Sequence, residues 1–140
     1  SRPIDESGFK FHMNDIQAAI GLANLPHVDS LLACQRENYR QLKKALSYLR
    51  IREDDDLDCT GWAFPIRVER KLNFERELAV RGIGSGLHHY RNDVQPCVAE
   101  FRTQLPNMDA LEQDLTCVPC GWWVSPAERD YITQIILRGW

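Results

Sequence analysis

The chain has 140 residues, of which 44% are hydrophobic and 26% charged, a composition that excludes a disordered or fibrous protein and fits one globular domain. The net charge is −3 with both signs scattered along the sequence, so no basic stripe indicates nucleic acid as a partner. No apolar run approaches the roughly 20 residues that span a membrane, and the first residues carry no apolar signal core. We therefore expect a cytoplasmic protein without a membrane partner.

Two helices are predicted in the first third of the chain. Asn14 followed by Gln17 resembles a capping box at the start of the first helix, which Pro26 ends. Asp29 or Ser30 can cap the second helix. One face of the first helix carries five apolar residues at three- and four-residue spacing: Met13, Ile16, Ala19, Ile20 and Ala23. Together these segments predict a long broken helix.

The remaining sequence predicts short strands between short helices. From Trp62 to Val68 apolar residues alternate with others, as in a half-buried strand that Pro65 places at an edge or a bulge. A helix over 74–81, a strand over 83–89, a helix over 107–115 and a strand over 116–119 follow. Ser125 opens the last helix as a cap, with Pro126 at the first helical position and Glu128 as the reciprocal residue of a capping box. The prediction is an α+β fold, a two-layer sandwich with a small sheet of about three strands.

The cysteines allow two interpretations. The chain contains five of them, an odd number without a secretory signal: Cys34, Cys59, Cys97, Cys117 and Cys120. This argues against a disulfide framework. Cys117 and Cys120 have the spacing of a redox or zinc pair, but they lack a second pair or a flanking histidine. We favour the alternative, in which they are small buried residues at the end of a strand.

A first cluster of polar residues lies just ahead of the first helix, in residues 8–15. The N–H groups and dipole of the helix start, joined by the ammonium of Lys10 and the imidazole of His12, suit an anion. The same residues also fit an extended lead-in with Phe9 and Phe11 buried and both basic groups solvated. Composition alone favours this second interpretation.

A second cluster leaves the end of the glycine-rich strand. It consists of five polar or aromatic residues in sequence: His88, His89, Tyr90, Arg91 and Asn92. Arg91 can fork onto a phosphate or carboxylate, and His88 or His89 can donate to sugar hydroxyls. A metal site is disfavoured because adjacent strand residues point to opposite faces. A polar surface loop explains the cluster equally well, and the sequence contains no catalytic motif of the common hydrolase or nucleotide-binding classes.

Three segments carry a resemblance to a known family. Residues 8–22 are similar to a Gly-aromatic-polar-aromatic-x-Met/Leu-x-Asp-Ile-x-Ala-Ala-Ile segment, residues 82–88 to a strand after an L-x-x-x-G-I helix, and residues 115–132 to a closing S-L-P…S-x-x-D-x-x-Y-I stretch. In this order they resemble the DegT/DnrJ/StrS-type aminotransferases, which use pyridoxal phosphate and act on nucleotide-linked keto sugars. The resemblance covers essentially the whole chain.

The resemblance implies the C-terminal portion of a fold-type-I enzyme. Residues 1–50 would be lead-in and linking helices and residues 51–140 the α+β small domain of one 140-residue unit, with the large cofactor-binding domain absent. A pyridoxal enzyme needs a lysine for the Schiff base and a carboxylate against the ring nitrogen. The chain has four lysines, Lys10, Lys43, Lys44 and Lys71, and none matches that position. We therefore expect no catalytic residue and no cofactor on this chain alone.

The resemblance also suggests roles for both polar clusters. Lys10 would reach the cofactor phosphate of a neighbouring subunit, and residues 88–92 would contact the nucleotide-linked sugar. The expected partner is a second copy of the chain or the missing large domain. Two functions remain open: a catalytically incomplete part of a sugar aminotransferase, or a stand-alone, non-catalytic binding or oligomerisation module derived from one.

Overall fold

The computed structural model describes residues 5, 8, 13–49 and 60–140. Within them the chain forms an α+β fold, as the sequence predicts. In chain order the elements are α1 (Asp15–Asn24), α2 (Val28–Ala45), β1 (Phe64–Arg67), α3 (Lys71–Val80), α4 (Pro106–Asp114), β2 (Leu115–Val118) and α5 (Pro126–Leu137). Short 3-10 turns occupy Leu25–His27, Ser47–Leu49 and Pro96–Phe101. None of the helices in these ranges is long and apolar enough to cross a membrane.

Local capping sequences fix the starts of α1 and α5. Gln17 N–H donates to Asn14 Oδ1 over 3.0 Å, and Asn14 N–H donates to Gln17 Oε1 over 3.0 Å. Ser125 and Glu128 exchange the same pair of bonds at α5. The hydroxyl and the N–H of Ser125 both donate to the Glu128 carboxylate and lower its pKa. Both predicted capping boxes are confirmed, because each satisfies backbone N–H groups that the first turn leaves without a helical partner.

The junction between α1 and α2 differs from the prediction. A 3-10 turn joins them, and α2 begins at Val28 with His27 at the cap position. The predicted cap at Asp29 or Ser30 is wrong; Ser30 Oγ instead donates to His27 O over 2.8 Å. Pro26 fits the first turn because its missing N–H needs no partner there. The single long broken helix is not confirmed.

The sheet described by the structure has two antiparallel strands, not three. Phe64 lies opposite Val118 and Arg67 opposite Leu115. The strand predicted over 83–89 forms only one bridge, between Gly86 and Cys117. Gly82 has a φ of +75°, so a left-handed turn separates this segment from α3.

One face of the sheet forms the core. Side chains alternate along each strand, so Phe64 and Ile66 face the same side as Val118. Residues of α2, α3 and α5 cover this face: Leu42, Leu46, Phe74, Leu78, Ile132, Ile135 and Ile136. Trp62, predicted in the same buried row, is 55% exposed, because β1 begins only at Phe64.

Candidate functional site

A cleft of about 430 Å3 opens beside the end of β2. Its walls are the segment 84–88, residues 117–120 and two tryptophans, Trp62 and Trp123. Among the described residues, the lining includes no lysine, arginine, aspartate or glutamate. The described walls of the cleft are therefore aromatic and carry no fixed charge.

The structure brings part of the second predicted cluster to this cleft. The imidazole of His88 lies 4.8 Å from the ring of Trp62, and that of His89 lies 5.7 Å from it. Tyr90 and Asn92 are exposed and do not line the cleft. The bridge between Gly86 and Cys117 holds the segment in place, with N–O distances of 3.0 and 3.2 Å. His88 is the predicted residue that the cleft includes.

Arg91 is directed away from the cleft and towards carboxylates. Its side chain is only 9% exposed. It donates to Asp93 over 2.9 and 2.5 Å, and it also bonds Asp109 and contacts Glu112 on α4. These hydrogen bonds raise the pKa of Arg91 and lower that of Asp93. Arg91 therefore fastens the 88–95 loop to α4, and its predicted substrate contact stays a prediction.

Trp62 follows a glycine that packs closely against the core. Gly61 has a φ of +61°, and a Cβ built there would lie 2.4 Å from the ring of Tyr39. Cys120 Sγ donates to Gly61 O over 2.9 Å. Burial raises the pKa of Cys120 to about 12 and also raises that of Cys117. Both thiols are free, and at Cys120 the structure agrees with the interpretation as a small buried residue.

Trp123 lies on a loop that α2 holds. The side-chain amide of Asn38 is buried and donates to Gly121 O over 3.0 Å and to Val124 O over 2.8 Å. The indole of Trp123 covers Gly121, where a Cβ would lie 2.3 Å from that ring. Sequence reasoning missed Trp123 and placed Trp62 in the core. The available signal was a Gly-Trp-Trp run between a strand and a capped helix.

Comparison with known proteins now identifies the family. The model of the DegT/DnrJ/EryC1/StrS aminotransferase family matches residues 3–137. The chain belongs to this family. Sugar aminotransferase CalS13 from Micromonospora echinospora has a TM-score of 0.86 at 35% identity, over 95% of this chain and 37% of that one. AtS13 from Actinomadura melliaura also has a TM-score of 0.86 at 35% identity, over 96% and 37%.

A more distant neighbour shows the fold alone. The putative sugar aminotransferase Spr1654 from Streptococcus pneumoniae, in its PMP-form, has a TM-score of 0.76 at 21% identity, over 88% of this chain and 34% of that one. The chain thus spans little more than a third of the length of the aminotransferases that it matches. Most of the length of those relatives has no counterpart in these 140 residues.

Members of this aminotransferase family depend on pyridoxal phosphate, and the described residues do not fit that group on their own. Of the three lysines in the described ranges, Lys71 donates to Glu112 O over 3.1 Å, and Lys43 and Lys44 lie on α2. None of these three lines the cleft, and the described part of the cleft lining has no carboxylate to face a ring nitrogen. Lys10 and His12, the first predicted cluster, lie outside the described residues.

Proposed function

We propose that this chain is the C-terminal part of a pyridoxal-phosphate-dependent aminotransferase that acts on a keto sugar linked to a nucleotide. The observation that carries the proposal is the 35% identity, over 95% of the chain, to a sugar aminotransferase of the same fold. The chemistry belongs to the complete enzyme, whose large domain would hold the cofactor. Residues 51–140 supply the small domain, and residues 1–50 supply the lead-in and linking helices.

In this proposal the chain contributes to sugar binding rather than to amino transfer. His88 faces the cleft beside Trp62 and donates to the sugar, while His89, Tyr90 and Asn92 lie along the adjoining loop as further contacts. Arg91 holds that loop against α4 through Asp109, so it acts as a positioning residue. Lys10 reaches the cofactor phosphate of a neighbouring subunit, as the family resemblance implies.

The lead-in helix supports a partner for the chain. None of the residues of α1 is buried, and its apolar face includes Ile16 at 73% and Ile20 at 58% exposure. A helix of ten residues is marginal in water without tertiary packing. We infer that a second copy or the large domain covers it, and cytoplasmic localisation stays a prediction.

The stand-alone binding module gains no support from the comparisons. The matched family is one of aminotransferases. CalS13, at 35% identity, is a sugar aminotransferase, and AtS13 has the same fold at the same identity. None of these findings indicates a non-catalytic protein. Part of a sugar aminotransferase is therefore favoured over a non-catalytic binding module.

Two substitutions test the proposal in a longer polypeptide. The reading frame preceding Ser1 is expressed with the chain, and amino transfer to nucleotide-linked keto sugars is assayed with a panel of amino acids. His88→Ala removes a hydrogen bond in the sugar site, which costs about 1 to 3 kcal/mol, or one to two decades in kcat/KM. Lys10→Ala weakens retention of the cofactor more than discrimination between sugars, because its contact is to phosphate.

The two variants also serve as controls for each other. Unchanged turnover after His88→Ala, together with a change only in sugar preference after Lys10→Ala, would show that the roles of both segments are wrong. Absence of amino transfer to any nucleotide-linked sugar by the unaltered polypeptide, with cofactor bound, would refute the proposed substrate class.

A further inference from the structure

We propose that the cleft between Trp62 and Trp123 binds an uncharged ring of the nucleotide-linked sugar by stacking, and that the charged diphosphate of this ligand lies outside the cleft. The inference rests on the proposed function for the nature of the ligand. It deepens that function by assigning a recognition role to two tryptophans and to Ser85, which neither the family resemblance nor the comparisons assign.

Part of each aromatic wall is open to a ligand, although His88 and His89 pack against Trp62 and the ring of Trp123 covers Gly121. Trp62 and Trp123 are 55% and 59% exposed although both border a concave surface. Large aromatic side chains are usually buried more fully than this, and those left open in a cleft are typical of ring recognition. Stacking on an aromatic face tolerates many rings, because it needs only a flat apolar surface. The cleft is therefore suited to a ring that can place one face against an indole.

Packing and hydrogen bonds fix the backbone beside each tryptophan. Gly61 packs against the ring of Tyr39, and its carbonyl oxygen accepts a hydrogen bond from the Cys120 thiol. These contacts fix the backbone beside Trp62. Asn38 holds the loop of Trp123 through two carbonyls. A backbone that is already fixed reduces the conformational entropy lost when a ring binds against these side chains.

The chemistry of the described lining indicates which part of a nucleotide sugar enters. None of the described lining residues is a lysine or arginine that could pair with a phosphate, and an unpaired phosphate inside the cleft would lose its hydration without compensation. Arg81 and Arg91 each lie three residues from the lining in sequence, and both are paired with carboxylates: Arg81 with Glu77, and Arg91 with Asp93 and Asp109. The part that fits is an uncharged ring, which is either the hexose or the base.

Ser85 supplies a polar group for the edge of that ring. Its Oγ is buried and has no hydrogen-bond partner among the described residues, although Ser85 itself lines the cleft. An unsatisfied hydroxyl lowers stability, and a change of χ1 between staggered rotamers redirects it towards the cleft. A ring with a hydroxyl or carbonyl at its edge then satisfies it.

The 140-residue chain itself can be tested by following its four tryptophan indole N–H signals by NMR. Each signal is assigned by replacing one tryptophan with phenylalanine. Methyl 6-deoxyhexosides, uridine, thymidine and inorganic phosphate are titrated separately to tens of millimolar, since a lone ring binds weakly. We expect either the glycosides or the nucleosides to shift the Trp62 and Trp123 signals. A shift with the glycosides identifies the hexose as the bound ring, and a shift with the nucleosides identifies the base. Inorganic phosphate leaves them unchanged.

Variants separate binding from structure. Trp62→Ala and Trp123→Ala weaken the binding of the ring by about 10-fold or more, whereas Tyr48→Ala, an exposed aromatic outside the cleft lining, does not. Ser85→Ala weakens binding about 3- to 10-fold without lowering the melting temperature, because it also removes the unsatisfied hydroxyl. A purely structural serine would show the opposite pattern.

The inference is overturned if no ring shifts the two signals, if phosphate alone shifts them, or if both tryptophan variants bind the ring as well as the parent chain does. These outcomes differ from failure of the proposed function. Amino transfer by the longer polypeptide without ring binding here refutes the inference alone. Ring binding without transfer to any nucleotide-linked sugar refutes the proposed function.

Discussion

Cys120 shows what burial does to a single reactive side chain. It is 1% exposed, and its raised pKa of about 12 leaves roughly one thiolate in ten thousand molecules at pH 8. Cys34 on α2 is exposed. We therefore expect iodoacetamide at pH 8 to label Cys34 in the folded chain and to spare Cys120, as measured by peptide mass spectrometry.

Unfolding in urea provides the control, because both thiols then become equally accessible and both should be labelled. Equal labelling rates for Cys34 and Cys120 in the folded chain, or recovery of a disulfide between Cys117 and Cys120, would contradict the assignment of Cys120 as a core residue. Such a result would restore the redox interpretation of the pair.

Arg91 shows which residue roles the sequence can reveal. The caps of α1 and α5 were predictable because each partner lies three residues away. Arg91 bonds Asp109, which lies 18 residues away on another helix, and no local pattern records that distance. A guanidinium in a polar run suggests an anion site, and only the fold shows that the chain itself supplies the carboxylates.

At the scale of elements, Asn38 joins α2 to the loop that precedes α5. It is 4% exposed and donates to two loop carbonyls. Asn38→Ala leaves both acceptors without this donor, and we expect a loss of about 2 to 3 kcal/mol in the free energy of unfolding. Urea denaturation followed by circular dichroism measures it.

Asn24→Ala is the matched control for that substitution. Asn24 also donates from its side chain to a carbonyl, that of Ile20, but it is exposed on α1. Water can replace this bond, so the expected loss is below about 0.5 kcal/mol. Equal losses for the two variants would show that the bonds from Asn38 do not hold the loop.

The sheet shows where element prediction ends. Alternating apolar residues revealed β1, since Phe64 and Ile66 are buried as period two requires. The same alternation predicted that Trp62 is buried in the core, because the pattern does not show at which residue the strand begins. Residues 83–89 also read as a strand, yet strand pairing depends on a partner edge, and only Gly86 meets Cys117. The cleft depends on these two departures, so the sequence predicted His88 but neither tryptophan.

At the scale of the whole molecule, α1 predicts association. Met13, Ile16 and Ile20 are 70%, 73% and 58% exposed, and exposed apolar surface of this kind usually finds a partner. We expect the chain to self-associate at high concentration, as measured by light scattering. Ile16→Glu with Ile20→Glu should restore the monomer, whereas Leu72→Glu, on an equally exposed residue of α3, should not. A strictly monomeric parent chain would refute this.

The central claim is that these residues serve the sugar side of an aminotransferase whose Schiff-base lysine lies elsewhere. The direct measurement is to mix the 140-residue chain with pyridoxal phosphate, reduce with borohydride and map the labelled lysines among the four present. We predict no stoichiometric label on any one lysine, because none of the four matches the position that the family resemblance gives to the Schiff-base lysine. Stoichiometric labelling of a single lysine, Lys10 above all, would contradict it.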